Sequence, residues 1–254
     1  MNYGRTKIVV CKDECDLGKQ SAAAVGQKMR ALLEQRDEIR MILAAGKSQV
    51  AFFDALTQEP GIEWSRVVCF NMDDFWDVKF PEHLTCGYQV RSQLYDKVFP
   101  RRFHLVQFNA PDPQAEAKRF ESLVRATGPM DILCQGIGTS GHLALNEPFQ
   151  TDFQDTAWVR VVDITEQSKL QFLANPSFNQ YGSIPDKGIT MTLPLMLSAP
   201  YIVTLVPFSS KREILTRLFA ASKPTVALPA SILSECEGTL FVDRNSCPAS
   251  SMGR

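Results

Sequence analysis

Two adjacent aspartates follow an apolar run of the sequence and could carry proton-transfer chemistry. Asp73 and Asp74 follow the run 66–71 after one intervening residue, Met72. Burial and a like-charged neighbour both raise the pKa of a carboxylate towards values useful to a general base. Adjacent aspartates are also typical of a turn or a helix cap. The pair therefore predicts either a base in a buried site or a structural cap.

A second apolar run, 130–135, leads into a glycine-rich segment that holds a histidine and an acid, 136–148 (GIGTSGHLALNEP). Its glycines permit a tight turn close to a ligand. His142 and Glu147 flank a short apolar stretch and can converge on one site. Histidine exchanges protons near neutral pH, although a single histidine is more often structural.

The run 40–44 leads through Ala45 into Gly46, Lys47 and Ser48, ahead of an expected helix. Glycine lets backbone amides approach an anion, and the start of a helix attracts one. Lys47 adds a charge and Ser48 a hydroxyl. Alone, the segment equally fits a plain helix start capped by Ser48.

These segments are set in an alternation of apolar strands and amphipathic helices. Strands are predicted at 7–11, 40–44, 66–71, 130–135, 158–162, 189–193, 202–206 and 238–242, and helices at 20–36, 49–56, 88–98, 114–126 and 211–221. The pattern predicts a Rossmann-like α/β fold, a mostly parallel sheet flanked by helices on both faces. Ligands bind such sheets beyond the carboxyl ends of the strands.

We expect one α/β domain over residues 1–254, with a lid around 160–187. Within this region 175–187 is rich in Pro, Asn, Gly and Ser, which favours a loop. The tail after Asn245 is expected to be frayed.

The amino-acid composition argues against several classes of function. The net charge of −1 gives no sign of a nucleic-acid or membrane surface, and the sequence has neither a run of 18 apolar residues nor an apolar start typical of secretion. The seven cysteines are scattered without a CxxC pair, which predicts a reducing cytoplasm and neither disulfides nor a metal site. We expect a cytoplasmic protein whose partner is a small molecule.

The segment 136–148 resembles the signature of glucosamine-6-phosphate deaminases and their galactosamine-6-phosphate relatives. The segment 70–74 resembles the second motif of that family, a strand followed by a catalytic aspartate. Segments 188–193 and 229–233 and Lys211 match further landmarks in the same order, over nearly the whole chain. The resemblance implies the fold of the sugar-phosphate isomerases and 6-phosphogluconolactonases.

By this resemblance, Asp73 moves a proton from C2 to C1 of an amino-sugar 6-phosphate, and His142, positioned by Glu147, opens the sugar ring. The implied phosphate contacts are Gly46, Lys47, Ser48 and Lys211. Further candidates for substrate contact are Asp74, Gly138 and Lys169. No metal or organic cofactor is implied, because the carbonyl of the substrate is its own electron sink.

Several positions depart from the family. Its deaminases usually carry an aspartate where this chain has the catalytic-site candidate Ser140. Serine carries no charge, so we expect the tautomer of His142 to be set differently here, which leaves the substrate and the release of ammonia open. The lid arginine of the family has no clear counterpart, and Lys169 is the candidate in that region.

Three functions stay open on the sequence. The leading hypothesis is an amino-sugar-6-phosphate deaminase/isomerase, of gluco or galacto type. A 6-phosphogluconolactonase is the second, although the lactonase histidine motif resembles GHTASLF rather than the segment found here. The third is a non-catalytic sugar-phosphate sensor, although no basic helix-turn-helix segment precedes the domain. The resemblance also allows a homo-oligomer.

Overall fold

The computed structural model of the protein describes residues 1–174 and 176–248. Within these ranges it has eleven strands: β1 (Asn2–Tyr3), β2 (Thr6–Cys11), β3 (Ile39–Leu43), β4 (Val67–Asn71), β5 (Asp73–Trp76), β6 (Arg102–His104), β7 (Ile132–Gln135), β8 (Val159–Asp163), β9 (Lys187–Met191), β10 (Tyr201–Val206) and β11 (Gly238–Asp243). Eight of them form one sheet in the order β1-β2-β11-β10-β7-β3-β4-β6. Every pairing in it is parallel except the edge pair β1–β2.

Helices cover both faces of this sheet. They are α1 (Glu14–Leu33), α2 (Val50–Leu56), α3 (Cys86–Val90), a π-helical turn (Arg91–Tyr95), α4 (Asp96–Val98), α5 (Pro113–Thr127), α6 (Glu166–Leu173), α7 (Pro176–Tyr181), α8 (Leu193–Met196) and α9 (Arg212–Ala220). On one face, Met29 of α1 and Phe53 of α2 pack in the same core as Met41. On the other, Phe120 and Leu215 belong to a second core. The predicted α/β fold is confirmed.

The central strands are apolar because both of their faces are covered. All residues of β4 and β7 are buried, as parallel strands between two helical layers must be. Helix ends follow capping chemistry: Asp112 accepts a hydrogen bond from Gln114 N, and Pro113 opens α5. Asp13 caps α1 in the same way through Asp16 N. This cap starts α1 at Glu14, six residues before the predicted start at 20.

The strands predicted at 158–162 and 189–193 exist but do not join the parallel sheet. They are β8 and β9, which form a separate antiparallel sheet with β5 in the order β5-β9-β8. The second also ends at Met191 rather than Leu193. Leu193 instead opens α8, because Pro194 fits the first turn of a helix and cannot donate to a strand ladder.

The segment predicted as a loop at 175–187 is partly helical, since it contains α7; Asn175 lies outside the described residues. Its anchor is Phe178, which is buried with ring centroids 5.8 Å from Phe75 and 6.0 Å from Phe172. Together with Tyr181, whose ring centroid lies 5.5 Å from that of Phe80, it holds the turn of helix on the body of the protein.

The end of the chain is less frayed than expected as far as it is described. Ser246 and Cys247 are buried, and the Ser246 amide donates to Asp243 Oδ1 at 2.6 Å; residues 249–254 lie outside the described ranges. Over the described residues, none of the helices combines the length and apolar character needed to span a bilayer.

Candidate active site

A cleft of about 1020 Å³ opens at the carboxyl ends of four neighbouring strands, β10, β7, β3 and β4. The strand order reverses direction between β3 and β7, which are neighbours. The chain continues from β3 to β4 on one side and, among the strands of this sheet, from β7 to β10 on the other. Such a switch point leaves a crevice between the two loops. The predicted residues that line the cleft are Gly46, Lys47, Ser48, Asp73, Gly138, His142 and Lys211.

Asp73 is the first residue of β5, and its carboxyl group faces the cleft. Its side chain is buried, and burial raises the pKa of Asp73 to about 7, with the charge of His142 acting in the opposite direction. A carboxyl group with a pKa near neutrality can accept a proton and return it in the same reaction.

Asp74 faces the other way, because consecutive side chains of a strand alternate between its two sides. Its carboxylate accepts hydrogen bonds from the amides of Phe75 (2.9 Å), Cys86 (2.9 Å) and Gly87 (2.8 Å), the last two in the first turn of α3. Burial raises the pKa of Asp74 to about 8 against these bonds. Asp74 is not among the residues that line the cleft, so the structure does not bring it to the site with Asp73, and its contact with a substrate stays a prediction.

On the side away from the cleft, the imidazole of His142 contacts a set of polar side chains. Its Nδ1 lies 2.9 Å from Ser140 Oγ, 3.2 Å from Glu147 Oε1 and 3.3 Å from Ser168 Oγ. Ser140 donates to Glu147 Oε2 at 3.0 Å, and Ser168 donates to Glu147 Oε1. All four side chains are buried. We call Ser140, His142, Glu147 and Ser168 the histidine set.

Glu147 carries the negative charge of this set. Burial would raise the pKa of Glu147, but hydrogen bonds with His142, Ser168 and Ser140, together with the charge of His142, outweigh it and hold this pKa below the ordinary value. Neither Ser140 nor Glu147 lines the cleft. They touch His142 from the protein side, so their effect on a ligand passes through the imidazole.

The loop that presents His142 is closed by its own backbone. Gly138 N donates to His142 O at 3.0 Å, and Gly141 N donates to Gly138 O at 3.0 Å. Gly141 has φ +94°, a conformation that favours glycine. Ala144 also has a positive φ of 53° and lines the cleft. A non-glycine residue in this region is typical of a functional loop held by its surroundings.

The other side of the cleft is suited to an anion. Gly46 has φ +102° and open space around its α-carbon, and it leads into the 3-10 turn Lys47–Gln49 and then α2. The ammonium of Lys47 lies 4.8 Å from the ring centroid of Phe208. Amides at the start of a helical segment and a nearby cation favour a bound phosphate.

Lys211 supplies a second cation. Its Nζ donates to the Ile137 carbonyl at 2.7 Å, and burial lowers the pKa of Lys211 to about 8. Among residues 1–174 and 176–248, no carboxylate oxygen lies within 4 Å of either Lys47 or Lys211. The cleft thus presents two ammonium groups without an anionic protein partner.

Lys169 is not brought to the cleft. Its ammonium pairs with Glu166 at 2.7 Å and Asp186 at 2.6 Å, and it is absent from the cleft lining. The structure therefore does not place Lys169 with the other candidates, and its contact with a substrate stays a prediction. The reason is helical geometry, because Lys169 lies on a different side of α6 from Ser168.

Three functional candidates were missed by sequence reasoning. Ser168 completes the histidine set, and Gln171 lines the cleft while its Oε1 accepts hydrogen bonds from Thr139 N (2.7 Å) and Thr139 Oγ1. Gln49 lines the cleft, is fully buried, and has no hydrogen-bond partner for either amide atom within the described residues. Only Gln49 had a local signal, its place next to Ser48.

The fold and the cleft define a class: a doubly wound α/β protein in which a carboxylate and a histidine share a strand-end crevice with two lysines that have no carboxylate partner within the described ranges. The family model described as glucosamine-6-phosphate isomerases/6-phosphogluconolactonase matches residues 12–242. The chain belongs to this family.

Both kinds of enzyme in the family description occur among the proteins and solved structures that this chain resembles. The chain is 33% identical over 201 residues to a glucosamine-6-phosphate deaminase of Exiguobacterium sp., covering 79% of this chain and 76% of the relative. It is 24% identical over 241 residues to that of Mycoplasmopsis pulmonis, covering 93% and 91%. A solved monomeric glucosamine-6-phosphate deaminase shares the fold with TM-score 0.81, 24% identity and coverage of 95% and 98%. A 6-phosphogluconolactonase from Thermotoga maritima has TM-score 0.72, 18% identity and coverage of 94% and 99%.

Proposed function

We propose that the protein is an amino-sugar-6-phosphate deaminase/isomerase, which converts glucosamine 6-phosphate or galactosamine 6-phosphate into a ketohexose 6-phosphate and ammonia. The observation that carries the proposal is the presence of Asp73 and His142 in the same cleft as Gly46, Lys47 and Lys211. An isomerisation needs a base at C1 and C2, an acid/base at the ring oxygen, and an anchor away from both.

The reaction begins with ring opening. His142 takes the proton of the O1 hydroxyl and delivers it to the ring oxygen, so that the C1–O5 bond breaks and the C1 carbonyl forms. Glu147 stabilises the cationic imidazole that this exchange requires.

Asp73 then takes the C2 proton, and the electrons of that C–H bond form the C1–C2 double bond as the electrons of the C1 carbonyl move to O1. O1 takes up a proton, which gives an enolamine. Asp73 returns its proton to C1, the amino group loses one proton, and an imine is left at C2. Addition of water and loss of ammonia give the C2 ketone. A pKa of about 7 for Asp73 suits both halves of this transfer.

The phosphate anchor would orient the reacting carbons. Lys47, Lys211 and the amides after Gly46 bind the 6-phosphate, and this binding energy is available to hold C1 and C2 against Asp73. Burial that disfavours the free Lys211 cation makes a dianionic partner more favourable at this position.

The test is a product assay. The purified protein is incubated with a panel of hexose and hexosamine 6-phosphates, and ammonia and ketose phosphate are measured, with Asp73→Asn as the matched control. Product from glucosamine or galactosamine 6-phosphate, lost in Asp73→Asn, supports the proposal and separates gluco from galacto specificity. Absence of product from both sugars contradicts it.

The same preparation distinguishes the two alternatives. Release of acid from 6-phosphogluconolactone far above the background rate, without ammonia from any sugar, would favour a lactonase. Tight binding of a sugar phosphate without turnover, unchanged in Asp73→Asn, would favour a sensor.

We also infer a cytoplasmic location, because Cys11, Cys69 and Cys134 are buried free thiols of the kind that a reducing compartment preserves. Cell fractionation tests this inference. Assembly into a homo-oligomer stays a prediction, and sedimentation of the purified protein tests it.

A further inference from the structure

The histidine set contains two hydroxyl groups that make the same pair of contacts. Ser140 Oγ and Ser168 Oγ each lie within 3.3 Å of His142 Nδ1 and each donate to one oxygen of Glu147. Ser140 belongs to the loop that carries His142, whereas Ser168 comes from α6. The two serines therefore bridge the imidazole and the carboxylate from different parts of the chain.

The number of available hydroxyl protons determines which groups of the histidine set donate hydrogen bonds and which accept them. An ionised carboxylate only accepts hydrogen bonds, and each serine has a single hydroxyl proton. Both protons are used on Glu147, one on each carboxylate oxygen. The serine oxygens can then offer only lone pairs to His142 Nδ1, so Nδ1 must carry the hydrogen.

This assignment leaves Nε2 of the neutral imidazole with its lone pair free. Nε2 makes no hydrogen bond within the part of the chain that the structure describes. It lies against Gly138, which lines the cleft as His142 does. The nitrogen on the ligand side is thus set up as a proton acceptor.

We propose that Ser168 is a positioning residue that, together with Ser140, holds His142 in the Nδ1-protonated tautomer and presents Nε2 to the ligand as a base. Its consequence for turnover rests on the proposed function, whereas the tautomer itself does not. Removing Ser168 leaves Glu147 Oε1 without its hydroxyl donor and lets the imidazole sample its other tautomer.

The position of Ser168 also ties the histidine to α6. Ser168 and Gln171 are three residues apart on one side of this helix, and both contact the loop 138–147: Ser168 through Glu147, and Gln171 through Thr139. Four further residues of the 166–174 stretch line the cleft: Gln167, Leu170, Phe172 and Ala174. The helix α6 therefore both lines the cleft and supplies Ser168 to the histidine set.

The experiment combines kinetics with nitrogen-15 NMR of the histidine rings. The chain has three histidines, so His83 and His104 serve as internal references for His142. The variants are Ser168→Ala, Ser168→Thr, which restores a hydroxyl, and Glu166→Gln, an exposed position on the same helix outside the set. Circular dichroism and melting curves check the fold of each.

We expect Ser168→Ala to show mixed tautomers at His142 and a kcat about tenfold lower, the order found when an outer partner of a functional histidine is removed. KM should stay within about twofold, because the ligand contacts themselves are intact. Ser168→Thr should recover both the spectrum and the rate, and Glu166→Gln should match the unmodified protein.

An unchanged Nδ1-protonated spectrum and unchanged kcat in Ser168→Ala would overturn the proposal and leave Ser168 as a packing residue of α6. If Ser168→Ala does not fold, Ser168→Cys keeps the shape with a weaker donor, and a wild-type ring spectrum in that variant contradicts the proposal equally. The spectra need no substrate. A protein without deaminase activity would refute the proposed function and still allow this test of Ser168.

Discussion

The imidazole of His142 lies directly over Gly138, so closely that a β-carbon at position 138 would be 2.0 Å from Nε2 and 2.2 Å from Cε1. Gly138 does not have a positive φ, so the space needed by the ring, rather than the backbone conformation, excludes a side chain here. We expect Gly138→Ala to fold and to lower kcat about 100-fold, because a displaced imidazole loses its alignment with the ring oxygen. Steady-state kinetics and a melting curve measure both effects.

Gly136→Ala is the matched control in the same loop. Its added β-carbon would meet Gln49 Nε2 and Leu205 O at 3.5 Å, an ordinary contact distance. We expect a loss of activity far smaller than that of Gly138→Ala. Equal losses in the two variants would mean that the loop tolerates no side chain anywhere, and that the contact with His142 is not the cause.

The raised pKa of Asp73 predicts the pH profile of the reaction. The base must be ionised to take the C2 proton, and burial raises its pKa to about 7. We therefore expect kcat/KM to be highest above pH 7 and to fall about tenfold per pH unit on the acid side. Initial rates between pH 5 and 8.5 measure this. A profile that stays flat down to pH 5 would contradict a buried Asp73 base.

Ionisation of Asp73 should lower the free energy of unfolding at high pH. Its pKa is about 7 in the folded protein against 3.8 for an unperturbed aspartate, so between these pH values the folded state holds a proton that the unfolded state has lost. The free energy of unfolding must fall as pH rises through this window. We expect Asp73→Asn to equal the wild type near pH 4 and to be more stable by roughly 1–4 kcal/mol at pH 8, measured by urea denaturation.

Asp74→Asn is the control for that experiment. It replaces one carboxylate oxygen by an amide donor facing the backbone N–H groups of Cys86 or Gly87. Burial also raises the pKa of Asp74, to about 8, so the comparison is made near pH 4, where both carboxyl groups are protonated in the folded state. An unpaired buried donor costs about 1–3 kcal/mol, so Asp74→Asn should be less stable than the wild type there, whereas Asp73→Asn should equal it. Equal stability of both variants near pH 4 would show that the two aspartates do not differ in role.

Much of the site could be predicted from the sequence because the fold repeats one geometric rule. Parallel strands end at the same edge of a sheet, so residues that follow apolar runs meet there. Gly46, Asp73, His142 and Lys211 follow β3, β4, β7 and β10 in the chain and line one cleft. Their types suggested the chemistry, and the alternation of strands and helices supplied the scaffold.

The part of the site that the sequence could not predict is the direction in which each side chain points. Asp73 and Asp74 are adjacent, and so are Ser168 and Lys169, yet in each pair one residue belongs to the site and the other does not. The sequence gives no sign of which neighbour faces the cleft. For Ser168 it depends on how α6 docks on a loop more than twenty residues earlier, a contact that no local pattern encodes.

Lys211 leads to a prediction about phosphate itself. Its pKa is lowered to about 8 by burial, so at pH 8 about half of the free protein carries a neutral lysine. A bound dianion favours the charged ammonium, and at pH 8 free inorganic phosphate is already mostly dianionic, so binding at this pH should take up close to half a proton per phosphate. Titration calorimetry with inorganic phosphate, in two buffers of different ionisation enthalpy, measures this uptake.

Lys211→Met should abolish the uptake and weaken phosphate binding by about 10- to 100-fold, because the dianion loses a buried charge partner. Lys187→Met is the matched control: this lysine is half exposed, pairs with Asp163 and does not line the cleft, so affinity and proton uptake should stay as in the wild type. Proton uptake that persists in Lys211→Met would place the titrating group elsewhere and remove Lys211 from the anion site. Uptake that is lost only in this variant ties the protonation of Lys211 to phosphate binding.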